Sequence, residues 1–131
     1  MIGNQNGIEG NLKGSGGSGN AIKGYLNKIV GFGNGVNGKA HGVLRNVNEI
    51  RGNLNNVIGS GNGIIGNLNE VIGNNNGILG NANGVFGSEN LIHGSENGIL
   101  GNNNAFSGKL NGIIGSENQV QGSFNFIGGK W

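Results

Sequence analysis

From Asn4 to Gly129 the chain repeats one heptad, x-x-Asn-x-(Ile/Val)-x-Gly, in eighteen copies without insertion or deletion. The seventh position is Gly in 17 copies, with Arg45 the exception. The third is Asn in 16, the exceptions being Lys13 and His41, and the fifth is Ile or Val in 16, the exceptions being Ser15 and Phe106. A period of seven first suggests a coiled coil, but the chemistry argues against helix. A glycine in every heptad costs about 0.8–1 kcal/mol relative to Ala, roughly 15 kcal/mol over the chain. The same residues suit short strands joined by tight turns. Gly accepts positive φ without steric cost, Asn bonds neighbouring backbone, and Ile and Val fit a pleated surface.

A second period of fourteen lies in the variable positions. In even heptads the second position reads Leu12, Leu26, Ala40, Leu54, Leu68, Ala82, Glu96, Leu110, Phe124, and the sixth includes Val30, Leu44, Ile58, Ile72, Phe86, Leu100 and Ile114. In odd heptads these positions are mostly Gly or polar, as at Gly33, Asn75, Glu89, Lys23 and Arg51. The two parities therefore occupy different environments. The simplest structure with this property is an all-β solenoid of two heptads, fourteen residues, per coil, with even heptads in one sheet and odd heptads in the other. About nine coils at roughly 4.8 Å each make a rod on the order of 43 Å long. With positions three and five inward, positions two, four and six face out. The interior then holds Ile/Val ladders beside an Asn ladder through Asn55, Asn62, Asn69, Asn76, Asn83, Asn90 and Asn97. The regularity predicts a single repeat domain over residues 1–131.

Two stretches depart from the pattern. Residues 10–19, GNLKGSGGSG, put Lys13 and Ser15 at inward positions, and the coil there is expected to be loose or bulged. His41 and Arg45 break the sixth heptad, His41 reading as a buried hydrogen-bonding substitute for Asn.

The repeated unit, as in GNNNGILG (73–80) and GSENGILG (94–101), resembles that of the ryegrass ice-recrystallisation-inhibition protein family and related grass domains. The likeness spans nearly the whole chain. It implies a left-handed β-roll with two heptads per coil and an ice-binding face of outward Thr, Ser and Val. This chain has no Thr, and the corresponding row on the even side reads Gly14, Lys28, Gly42, Asn56, Glu70, Gly84, Gly98, Gly112, Phe126.

Composition narrows the functional classes. Gly (32) and Asn (28) make up nearly half of the 131 residues, and there is no Cys, Pro, Thr or Asp. Thiolate metal sites, disulfides and Asp-based calcium rolls are thereby excluded. A net charge of +2 is too small and scattered for a nucleic-acid binder, and no apolar run approaches a membrane span. No signal peptide opens the chain, which leaves the compartment open with an extracellular setting favoured. G-x-G-x-x-G matches such as residues 14–19 are chance in so Gly-rich a chain, without the strand-then-helix context they need. His41 and His93 lie on opposite parities, and no nucleophile, base and orienter group is evident. Enzymatic activity, cofactors and metals are not expected.

Two surfaces stand out. Leu26, Val30, Leu44, Leu54, Ile58, Leu68, Ile72, Phe86, Leu100, Leu110 and Ile114 form apolar rows on the even side, an expected assembly face. Solenoid ends expose unpaired strand edges unless capped. The last heptad, SFNFIGG, still fits the repeat, with Phe124, Phe126 and Trp131 as expected end contacts. The leading expectation is a structural protein whose partner is itself, forming cross-β-like filaments by end-to-end stacking and lateral packing. An ice-binding protein is the alternative, and an adhesive or surface repeat module the third.

Overall fold

The computed structural model describes residues 3–11 and 14–129. Within them the chain is all β, and its eighteen short strands alternate strictly between two parallel nine-stranded sheets. The odd sheet holds β1 (Gly7–Glu9), β3 (Ala21–Tyr25), β5 (Gly35–Lys39), β7 (Glu49–Asn53), β9 (Gly63–Asn67), β11 (Gly77–Leu79), β13 (Leu91–Ser95), β15 (Ala105–Lys109) and β17 (Gln119–Gln121). The even sheet holds β2 (Gly14–Gly16), β4 (Lys28–Val30), β6 (Gly42–Leu44), β8 (Asn56–Ile58), β10 (Glu70–Ile72), β12 (Gly84–Phe86), β14 (Gly98–Leu100), β16 (Gly112–Ile114) and β18 (Phe126–Gly128). Each strand pairs with residues fourteen positions away, as in Val71 with Val57 and Val85. The fold is thus a β-solenoid of about nine coils with fourteen residues per coil.

Position five fills the space between the sheets. Ile22, Ile29, Ile50, Val57, Ile64, Val71, Val85 and their equivalents are buried, with Phe106 taking the place of an Ile in β15. Fifteen such side chains form one continuous core. With strands this short, the corners carry as much of the fold as the sheets.

At each corner Gly and Asn act together. Gly59 has φ +138°, and a Cβ there would sit 1.8 Å from the carbonyl oxygen of Gly73, one coil on. The missing side chain leaves room for that carbonyl to turn inward, where Asn62 Nδ2 donates to it at 2.9 Å. The second Nδ2 hydrogen of Asn62 goes to Asn48 Oδ1 at 3.0 Å. Its Oδ1 accepts from both the backbone N–H and Nδ2 of Asn76, each at 3.0 Å. The amide is therefore saturated, with two donated and two accepted bonds. The arrangement recurs in two columns, one per corner, and every amide points the same way along the axis.

A second positive-φ site occurs two residues after the corner Gly. Position two sits near φ +54 to +61° at Leu26, Ala40, Val47, Leu54, Leu68, Asn75, Glu89 and Leu110, among others. This corrects the expectation that position two is an outward strand residue. It lies in the turn between strands, so Leu26, Leu54, Leu68 and Leu110 line a corner of the solenoid. Position one supplies an outer set of bonds running the other way. Asn53 and Asn67 N–H donate to Asn67 and Asn81 Oδ1 at 2.8 Å, and at the opposite corner Asn74 N–H donates to Ser88 Oγ at 3.1 Å.

The irregular heptads stay in register where they are described. β2 pairs with β4 residue for residue, so residues 14–16 form an ordinary rung instead of a bulge. Ser15 is buried there with its Oγ unbonded. Leu12 and Lys13 lie outside the described residues. His41 takes the Asn place and is 2% exposed. Its Nε2 donates to Gly52 O at 2.9 Å, and its Nδ1 accepts the Asn55 N–H at 3.3 Å, which fixes the neutral Nε2–H tautomer. Burial pushes its pKa below the ordinary histidine value, against an opposing effect of the backbone hydrogen bonds from Gly52, Asn37 and Asn55. Arg45, in the Gly place, keeps φ at 101°, a strained value for a residue with a side chain.

Two tests follow. Asn69→Ala strands the Asn83 N–H, an Nδ2 hydrogen of Asn83 and the Gly80 carbonyl. It should cost about 3 kcal/mol or more in urea unfolding, whereas Asn81→Ala in the exposed outer column should cost about 1 kcal/mol or less. His41 binds a proton more readily unfolded than folded. Its contribution is therefore intact above the ordinary histidine pKa of about 6.5 and lost as pH falls below it. His41→Asn should reduce the difference in melting temperature between pH 7.5 and pH 5, measured by circular dichroism.

Candidate functional site

The repeat frees the outside of the solenoid from any packing duty, so chemistry has to be sought in the outward rows. On the even sheet, position six forms a row in which Val30, Leu44, Ile58, Ile72, Phe86, Leu100 and Ile114 are paired in direct register across seven consecutive coils. Successive members stand one strand spacing apart, about 4.8 Å. Five of the seven are exposed large apolar residues, and Ile58 and Ile114 are half-buried. Beside this row, position four reads Lys28, Gly42, Asn56, Glu70, Gly84, Gly98, Gly112, Phe126. Charge is confined to the part before residue 71. From β12 to β16 the surface is an uncharged shelf of Gly84, Gly98 and Gly112 beside Phe86, Leu100 and Ile114.

The corner preceding this face carries Leu26, Leu54, Leu68 and Leu110, all well exposed. The expected assembly face therefore divides into a sheet row and a corner row that meet at an edge. Leucine in the left-handed region costs roughly 1–2 kcal/mol per residue. The exposed apolar side chains of these leucines add an aliphatic edge beside the sheet row. The sequence did carry a signal for this geometry. The odd heptads place Gly19, Gly33, Gly61, Asn75 and Asn103 at the same position, residues that favour positive φ.

The expected Asn ladder residues, Asn55 through Asn97, are all buried in the two columns. They hold the structure together and present nothing to solvent. Phe124 and Phe126 on the last coil are 80% and 78% exposed. The Phe126 ring leans over Gly112, where a Cβ would approach it to 2.9 Å. Trp131 lies outside the described residues.

The outward face of the odd sheet differs in character. Position six carries Lys23, Asn37, Arg51, Ile65, Leu79 and His93, and position four is mostly Gly or Ala. Exposed ion pairs link Arg51 to Glu49 at 2.8 Å and Lys23 to Glu9 at 3.2 Å. Among the described residues no three His, Cys, Asp or Glu side chains come together as metal ligands, and no helix is long and apolar enough to cross a membrane.

Among the described residues the outward rows form a regular array. No curated protein and no solved structure matches the chain. One family model does, that of the grass antifreeze beta roll, over residues 46–130. The match opens on the first heptad after the one broken by His41 and Arg45 and runs through the regular coils. With fourteen-residue coils, paired Asn columns and a family match over most of its length, the chain belongs to the grass antifreeze beta-roll family.

Proposed function

We propose that the chain binds ice through the outer face of its even sheet. The observation that carries this reading is the in-register row from Val30 to Ile114 with its glycine shelf. Side chains fixed at one strand spacing on a stiff sheet present water with a flat, periodic and largely apolar surface. Water over such a surface cannot bond to it strongly and orders against its own neighbours, which suits adsorption to a growing crystal. The fold and family are of a structural or ice-binding kind. Without a Thr array the expected activity is restraint of crystal regrowth rather than deep freezing-point depression. Ile72→Lys and Leu100→Lys place charge on exposed positions of the row and leave the core untouched. Each should abolish retention on ice and inhibition of ice recrystallisation, with an unchanged circular dichroism spectrum. Ile65→Lys, on the opposite sheet, should retain activity. Wild-type protein that fails to partition into ice would overturn the reading.

A second reading, assembly into filaments, is supported by the polarity of the amide columns. The Asn-to-Asn bonds in each column run one way, with Nδ2 donating to the Oδ1 one coil toward the N-terminus, as Asn20 does to Asn6 and Asn118 to Asn104, so a coil of another copy meets the stack with matching bonds. Filaments should appear in negative-stain microscopy at high concentration, and a protein that sediments only as compact particles would exclude them.

A further inference from the structure

The odd sheet has two outward rows of opposite size. Row four reads Gly7, Ala21, Gly35, Glu49, Gly63, Gly77, Leu91, Ala105, Gln119. Row six, beside it, carries longer side chains at nearly every level. Over β9 and β11 this leaves an apolar trough of about 450 Å³, floored by Gly63 and Gly77 and walled by Ile65 and Leu79. The Glu49–Arg51 pair closes one end and Leu91 with His93 the other. Ile65, Leu79 and Leu91 are 52%, 48% and 64% exposed.

We propose that the odd face docks a second copy of this chain, the two solenoids lying parallel about a two-fold axis that runs along row five. That operation sets row four of one copy over row six of the other at the same height. Ile65 and Leu79 of the second copy then enter the trough over Gly63 and Gly77. At the level where row four is charged, Glu49 meets Arg51 of the second copy, and the reciprocal contact closes a four-member ion network. Ala105 falls over Ser107, and Ala21 and Gly35 receive Lys23 and Asn37. Size and charge match at these levels, and at the one between them Leu91 packs beside His93 of the second copy.

The even face fails the same operation. It would press Lys28 onto Val30 and Glu70 onto Ile72, burying charge without a partner. The odd face is the self-complementary one, and its use leaves the even face free. The contact measures roughly 40 Å by 12 Å, on the order of 500 Å² per copy. Stable complexes bury about 800 Å² per partner, so the dimer is reversible and concentration-dependent.

Sedimentation velocity over a concentration series tests this. The wild type should move from monomer toward dimer as concentration rises. Gly63 has ordinary φ, and a Cβ added there meets nothing within 4 Å, so Gly63→Leu should fold normally. It fills the trough and should weaken dimerisation at least about tenfold. Arg51→Glu should do the same, and the double exchange Glu49→Arg with Arg51→Glu should restore it. Because the chain has no cysteine, orientation can be read directly. A mixture of Ala105→Cys and Ser107→Cys proteins should cross-link, and neither alone should. A wild type that stays monomeric, a Gly63→Leu protein that dimerises like the wild type, or cross-linking by either cysteine variant alone would each overturn the proposal.

Discussion

The fold depends on satisfying one carbonyl group. At each corner the Gly carbonyl turns its oxygen toward the interior, and an unpaired buried carbonyl costs about 1–3 kcal/mol. The Asn three residues after the Gly one coil earlier supplies the donor, as Asn62 does for Gly73. The bond forms only because Gly59 has no side chain in the way. Gly and Asn are thus two halves of one device, which explains why they recur at the same interval. The amide has a donor and two acceptor sites left over, and it spends them on its neighbours in the column. Hydrogen bonds aligned head to tail polarise one another, so the column gains by being long.

Because positions three, five and seven carry the fold, positions one, two, four and six are released from it. They hold most of the chain's variety. The even face gathers aliphatic side chains in one row and glycine in the next, while the odd face alternates small residues with charged and aliphatic ones. Opposite walls of one rod can therefore take different partners, a crystal surface on one and protein on the other. The corner leucines add a third strip, held on left-handed backbone.

Much of this was legible in the residues. The seven-residue period with Gly and Asn excluded helix, and the fourteen-residue modulation at Leu54, Leu68 and Ile72 separated the sheets. The geometry of position two was not foreseen, because Leu in a left-handed turn contradicts its backbone preference. Tertiary bonding, such as Leu54 N–H to Lys39 O at 2.9 Å, overrides that preference. The outer bonds of position one were also missed. Asn and Ser there look like ordinary surface polarity, and their pairing across coils appears only once the register is known. Residues 10–19, with Lys13 and Ser15 at inward positions, read as a loose or bulged coil, yet residues 14–16 pair with β4 and carry Ser15 into place. The choice between ice and protein as a partner rests on surface shape, which a repeat pattern does not encode.

A stack of like units loses order where adjacent units grip each other least. At His41 the imidazole receives the Asn55 N–H at 3.3 Å but donates nothing to Asn27 Oδ1, which keeps only the His41 backbone N–H at 3.0 Å, and four residues later Arg45 holds a backbone angle suited to glycine. This level is the weak seam of the rod. Unfolding that starts at this level would part the opening coils from the stretch in which every member of both columns is Asn.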